Sequence, residues 1–117
     1  MTRSRRGGSW GDMDVQLLVV RECPNEAVAA RLLRTALDDI GLPDKDFDTT
    51  VVVSQDDADR RGFAGSPAFF VDGIDLLREP GRPSGFSCRL YRSSTGVGGV
   101  PDLVDLRREL KRAADRH

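Results

Sequence analysis

The sequence predicts one α/β domain with the element order β-α-β-α-β-β-α. Three observations carry this. Two short β-branched runs, at residues 15–20 (VQLLVV) and 49–53 (TTVVV), are separated by a stretch with apolar residues at helical spacing. Two more apolar runs, 68–71 (AFFV) and 74–77 (IDLL), flank the pair Asp72-Gly73, a favoured two-residue hairpin turn. The chain closes on an amphipathic segment with Leu103, Leu106 and Leu110 on one stripe.

Each element has its own reason. The run at 15–20 is almost wholly apolar, as expected of a strand covered on both faces. Cys23 and Pro24 then lead into a helix expected over 25–40. Pro24 suits its first turn, where an amide hydrogen would have no partner. Ala29, Leu33, Leu37 and Ile40 recur at helical spacing, with Val28 and Leu32 broadening the stripe. Gly41 caps that helix and Pro43 blocks its continuation. A helix joining the runs at 15–20 and 49–53 makes those two strands parallel. Ser54 caps a short helix that runs through Arg61, with Asp57 three residues on, and Gly62 ends it. The hairpin then adds an antiparallel pair, so the sheet is mixed. Residues 78–100 form a long irregular stretch with Pro80, Pro83 and five glycines, the kind of loop that often serves function. Inside it, 86–91 (FSCRLY) is expected to be briefly extended. The last helix is expected over 103–114, with Asp102 as its cap.

Composition narrows the function. The length of 117 residues suits a single domain. Residues 1–12 are polar and Gly-rich and read as a disordered tail, which leaves 13–117 as the domain. Net charge is -1, from 18 basic and 19 acidic residues, so no bulk field favours a polyanion and nucleic acid is not an expected partner. The 16 Arg to 2 Lys bias reads as codon usage. No apolar run is long enough for a secretory signal or a membrane span. Two Cys in 117 residues is not a disulfide scaffold, so a cytoplasmic protein with reduced thiols is expected. The one His, His117, is terminal, which leaves no His for a Ser-His-Asp triad. There are too few Cys and His for a structural zinc site. Gly96, Gly98 and Gly99 lack the context of a nucleotide loop and read as flexible. Asp38, Asp39, Asp56 and Asp57 read as solvated helix ends. Phe47, Phe63, Phe69 and Phe70 are core candidates.

Cys23 is the candidate nucleophile. A thiol where a helix begins faces unpaired amide hydrogens and the positive end of the helix dipole, and both favour the reactive thiolate. Arg21 adds to this, while Glu22 and Glu26 oppose it. The alternative is a half-buried, inert Cys.

The order of elements, Cys23-Pro24-Asn25-Glu26 after the first strand, and Gly65-Ser66-Pro67 before the third together resemble the thioredoxin superfamily. The resemblance covers about 14–114. It is nearest to small single-domain bacterial thioredoxin-like proteins with an incomplete Cys-x-x-Cys motif. It implies a four-stranded mixed sheet with helices on both faces. It also implies a cis Pro67 beside Cys23, with Ser66 and Pro67 presenting backbone to an extended substrate. Glu26 stands where the family's resolving Cys would be, and Glu22 replaces the usual aromatic, so a dithiol cycle within the motif is excluded. The stretches 65–73 and 87–91 look like members of that group, some of which are labelled by likeness to organomercurial lyases.

Cys88 is the second site candidate. In a thioredoxin-like sheet the loop 78–100 begins and ends near Cys23, so Cys88 is placed as a resolving thiol. The alternative for Cys88 is a small buried filler. The resulting expectation is thiol-based redox chemistry at Cys23, by disulfide exchange or as a monothiol, on a protein or small thiol/disulfide. No organic cofactor and no resident metal are expected. A non-catalytic binding module and soft-metal capture by Cys23 and Cys88 are the alternatives. The sequence is silent on oligomeric state, and the edge strand expected at 74–77 is a place where a second copy would pair.

Overall fold

A computed structural model describes residues 13–78, 84–85, 91–93 and 96–115. It is an α/β fold with a four-stranded mixed sheet and, among the described residues, three helices. The first strand, β1 (Val15–Val20), is followed by α1 (Glu26–Asp39), β2 (Asp48–Val52) and α2 (Gln55–Arg61). Then come β3 (Ala68–Val71), β4 (Ile74–Asp75), β5 (Tyr91–Ser93), β6 (Gly96–Gly98) and α3 (Leu103–Asp115). The sheet order is β2-β1-β3-β4. β1 pairs parallel with β2, with Val20 opposite Val52, and antiparallel with β3, with Leu17 opposite Phe69. β3 and β4 form the expected hairpin, shorter than the sequence suggested. Asp72 and Gly73 both have positive φ, 54° and 83°, the conformation that a two-residue hairpin turn demands.

Alternation along β1 divides the core. Val15, Leu17 and Val19 belong to a buried cluster with Phe69 and Val71 of β3, Ala29, Leu33 and Leu37 of α1, and Leu106 and Leu110 of α3. Leu18 belongs to a second cluster with Val52, Ala58 of α2, Phe63, Ala68 and Phe70. Successive residues of a strand point to opposite faces, so one six-residue strand feeds both clusters. Fully burying a side chain the size of Phe or Leu contributes roughly 1.5–3 kcal/mol, and Leu17, Phe63 and Phe69 are all fully buried. Met13, ahead of β1, is buried in the first cluster too.

The connections are held by side chains. Arg34 of α1 donates to the carbonyls of Leu42 (3.0 Å) and Lys45 (2.8 Å), which pins the chain between α1 and β2. Ser54 Oγ accepts from the Asp57 amide (3.1 Å) and caps α2 as expected. Gly62, in the left-handed conformation, ends α2 and delivers Phe63 to the second cluster.

Two expectations are corrected. Asp57 is not a solvated helix end: it is buried, and accepts from the Val53 amide (3.1 Å), Arg60 (2.9 Å) and Arg61 (2.8 Å). A carboxylate is buried there because three donors replace its water. The irregular stretch 78–100 also contains order. β5 and β6 pair as an antiparallel ribbon, Tyr91 opposite Gly98, so Gly96 and Gly98 lie in a strand and not in a flexible loop. Two residues nearby are tied to α2 and the chain just after it: Ser84 donates its hydroxyl to Asp59, and the Gly85 amide donates to the Phe63 carbonyl (2.9 Å).

The Arg61 and Val53 hydrogen bonds hold the Asp57 carboxyl below its ordinary range, with the Arg60 and Arg61 charges adding to them. A carboxyl lowered in the folded state adds stability above its unfolded value, about pH 3.9, and that stability is lost as pH falls through the lower folded value. Asp57→Asn is therefore expected to lower Tm at neutral pH and to flatten the acid limb of a Tm–pH profile below about pH 4. Ser54→Ala is expected to cost about 1 kcal/mol in urea denaturation, as loss of an N-cap does.

Candidate functional site

The site grows from the last residue of β1. Two consecutive turns lead from the strand into α1. The Cys23 amide donates to the Val20 carbonyl (3.3 Å), and the Glu26 amide donates to the Cys23 carbonyl (3.2 Å). Glu22 takes a positive φ of 59° to make the first turn. Cys23 thus stands three residues ahead of the first helical residue, and Asn25, not Cys23, is the N-cap. Asn25 makes no side-chain cap bond. The sequence places the thiol nearer the helix start than the structure does, because Pro24 opens a turn here and not the helix itself.

Val20 is tied through its amide as well. Its amide donates to Ser66 Oγ (3.1 Å), and Ser66 is fully buried. The Ser66–Pro67 peptide bond is cis. The turn that carries Cys23 and the segment that carries Pro67 are therefore fastened to one residue, Val20, through its carbonyl and its amide respectively. The hydroxyl of Ser66 is spent on that joint, and its side chain faces the interior.

Cys23 itself is 7% exposed and lies in the first core cluster, which also contains Val19, Phe69 and Tyr91, with Val20, Val100 and Leu103 packed against it. Arg21, Glu22 and Pro24 around it are exposed. It is the free cysteine among the described residues. Cys88 lies outside the described residues, as do His117 and residues 1–12. No group of three or more His, Cys, Asp or Glu able to hold a metal occurs among the described residues. No described helix is long and apolar enough to cross a membrane.

One residue that sequence reasoning passed over is central here. Tyr91 is buried, and its hydroxyl donates to the Pro67 carbonyl at 2.5 Å. Its ring meets Phe69 at a centroid distance of 6.4 Å, tilted by 57°. As the chain's single Tyr, in a long loop otherwise poor in apolar residues, it is a signal in itself: a buried Tyr needs an acceptor for its hydroxyl. Gly99, read from the sequence only as part of a flexible glycine cluster, also lies here. A methyl group placed on it would come within 2.1 Å of Asn25 Nδ2 and 2.8 Å of Asn25 Cγ, so a larger residue there would require the Asn25 side chain at the start of α1 to move.

A groove of about 440 Å³ lies at the opposite end of α1, lined by Asp39, Ile40, Val104, Arg107, Arg108 and Lys111. An Arg107–Asp39 ion pair (3.0 Å) joins its walls. It holds neither of the residues singled out around Cys23 and Pro67.

No protein-family model, curated protein or solved structure matches the chain.

Ser66→Ala would leave the Val20 amide without its acceptor next to the buried core. Urea denaturation is expected to show a loss of about 1–3 kcal/mol, the cost of an unsatisfied buried donor. A loss near zero would mean that the joint contributes nothing to holding the two segments together.

Proposed function

We propose that the chain is a thioredoxin-like domain that carries out thiol–disulfide exchange through Cys23. One observation carries the reading: the Cys23 turn and the cis Ser66–Pro67 segment are both fastened to Val20, at the end of the central strand, one through its carbonyl and the other through its amide. The sheet order β2-β1-β3-β4, with β1 parallel to β2 and antiparallel to β3, supports the same reading. So does the split of the core, with α1 and α3 in one cluster and α2 in the other, which fits helices on both faces.

In this reading the Cys23 thiolate attacks one sulfur of a partner's disulfide. A Cys23–partner disulfide forms, the partner's own S–S bond breaks, and the departing thiolate takes a proton from solvent. Glu26 provides no thiol to resolve the adduct. A second thiol must do so, either Cys88 or an external thiol, which supplies the electron pair. A small disulfide or an extended protein segment is the substrate class, and a reducing, cytoplasmic setting keeps Cys23 ready.

The burial of Cys23 favours a second reading, a non-catalytic binding module in which the thiol is structural. Incubation of the reduced protein with glutathione disulfide, followed by peptide mapping, separates the two. Exchange predicts one glutathione adduct on the Cys23 peptide and none there in Cys23→Ser. If Cys88 resolves, Cys88→Ser accumulates the adduct while the unsubstituted chain converts it to a Cys23–Cys88 disulfide. A Cys23 that takes up glutathione only after the chain is unfolded rejects exchange and leaves the binding module.

A further inference from the structure

We propose that the outer edge of β2 is a homodimer interface, along which a second copy of the chain lays its own β2 antiparallel. This is independent of the chemistry at Cys23.

The two edges of the main sheet differ. β4 is two residues long, and the second of them, Asp75, is a buried acid. A very short strand and an inward charge both keep an edge from pairing. The hairpin edge, where the sequence alone would pair a second copy, is therefore protected. β2 has neither device. It runs over five residues, and among the described residues it pairs with β1 alone. Residues 49–53 (TTVVV) are all β-branched, with no Pro, Gly or Lys to discourage pairing. Thr49 and Val51 lie opposite Leu17 and Val19 of β1, on the face that carries α1. Thr49 is exposed there, and so are Val51 (41%) and Val53 (61%), so the edge is open on that face.

A second copy is the occupant that fits this edge. Two copies of one strand related by a two-fold axis run antiparallel, and a residue at the axis faces its own copy. The middle residue of β2 is Thr50. Centred there, Thr50 faces Thr50, Thr49 faces Val51 and Asp48 faces Val52 of the other copy, so the whole strand is paired. Facing threonines and β-branched cross-strand pairs are favourable. The exposed Val53 comes opposite Phe47, which is half-buried against the first core cluster on the same face. Asp48 is the one charge in the strand, and its two copies lie at opposite ends of the pairing, so no like charges meet. The product is a continuous sheet of twice four strands. Because β1 is parallel to β2 and Cys23 follows its end, the two Cys23 turns stand at opposite ends of that sheet.

The test is sedimentation velocity of the full chain over a concentration series, with reductant present so that no disulfide links two copies. A concentration-dependent dimer is expected. Thr50→Lys removes the threonine pair and sets like charges face to face, and should raise the dimer dissociation constant about tenfold or more. Thr50→Glu should do the same. An equimolar mixture of the two variants should recover the dimer, because opposite charges then meet at the axis. Ile74→Lys, on the other edge, should leave the dimer unchanged. A monomer at every concentration overturns the proposal and leaves the edge to an extended segment of another protein. A dimer indifferent to Thr50→Lys overturns it too, as does one that Ile74→Lys dissociates or that the mixture fails to recover. Should circular dichroism show that the charged variants do not fold, Thr50→Cys answers independently. Directly opposed residues have Cα atoms about 4.5–5.5 Å apart, within the span of a disulfide. Oxidation without reductant should then give a covalent dimer whose mapped bridge joins position 50 of the two copies. A bridge between copies that forms no faster in Thr50→Cys than in Ile74→Cys overturns the proposal.

Discussion

Everything in this domain is organised around a single strand that must satisfy two cores at once. β1 is flanked by β2 on one side and β3 on the other, and its alternate residues enter different clusters. Val15, Leu17 and Val19 anchor α1 and α3, while Leu18 meets Phe63, Phe70 and Ala58 of α2. A shift of its register by one residue would exchange the two faces and strand both sets of partners. That requirement explains why the strand is almost wholly apolar. It also explains why β2, at the edge of the sheet, tolerates a 41% exposed Val51 where Val52 beside it is fully buried.

The end of that strand is where the fold gathers the candidate site. Val20 offers one carbonyl and one amide beyond the ladder, and both are used for irregular segments: Cys23 on one, Ser66 on the other. A cis Ser66–Pro67 bond and a positive-φ Glu22 flank this joint. The scaffold thereby brings residues more than forty positions apart to one place without committing any side chain of Cys23 or Pro67 to the task. Tyr91 completes the arrangement from the ribbon by taking the Pro67 carbonyl.

Charged residues follow the same economy. The short helix α2 carries a buried Asp57 whose oxygens are matched by Val53, Arg60 and Arg61. Asp59 is likewise held below the ordinary carboxyl range, first by the Ser84 hydroxyl and then by the Gln55 amide. These contacts give a polar seven-residue helix a fixed seat despite its contributing only Ala58 to the apolar core.

Much of this was legible in the sequence alone. Periodicity identified β1, α1 and α3, because burial on one face or two imposes its own spacing. Gly41, Gly62 and Asp72-Gly73 marked three chain reversals, since local backbone geometry is a local property. Ser66 and Pro67 were legible only through resemblance, and the structure added that the Ser66 hydroxyl is turned inward to Val20. The rest required the fold. Asp57 looked solvated because its buried partners include a backbone amide and two arginines whose directions only a formed helix sets. The ribbon β5–β6 was invisible because glycine has little strand propensity, and its pairing is supported by Tyr91 reaching a carbonyl 24 positions away. The sequence by itself therefore determined the four strands of the main sheet, the three helices and their order, and it singled out the thiol to watch. Only the tertiary structure decided that this thiol is buried, because the core cluster that contains it is assembled from residues as far apart in the chain as Met13 and Ala113.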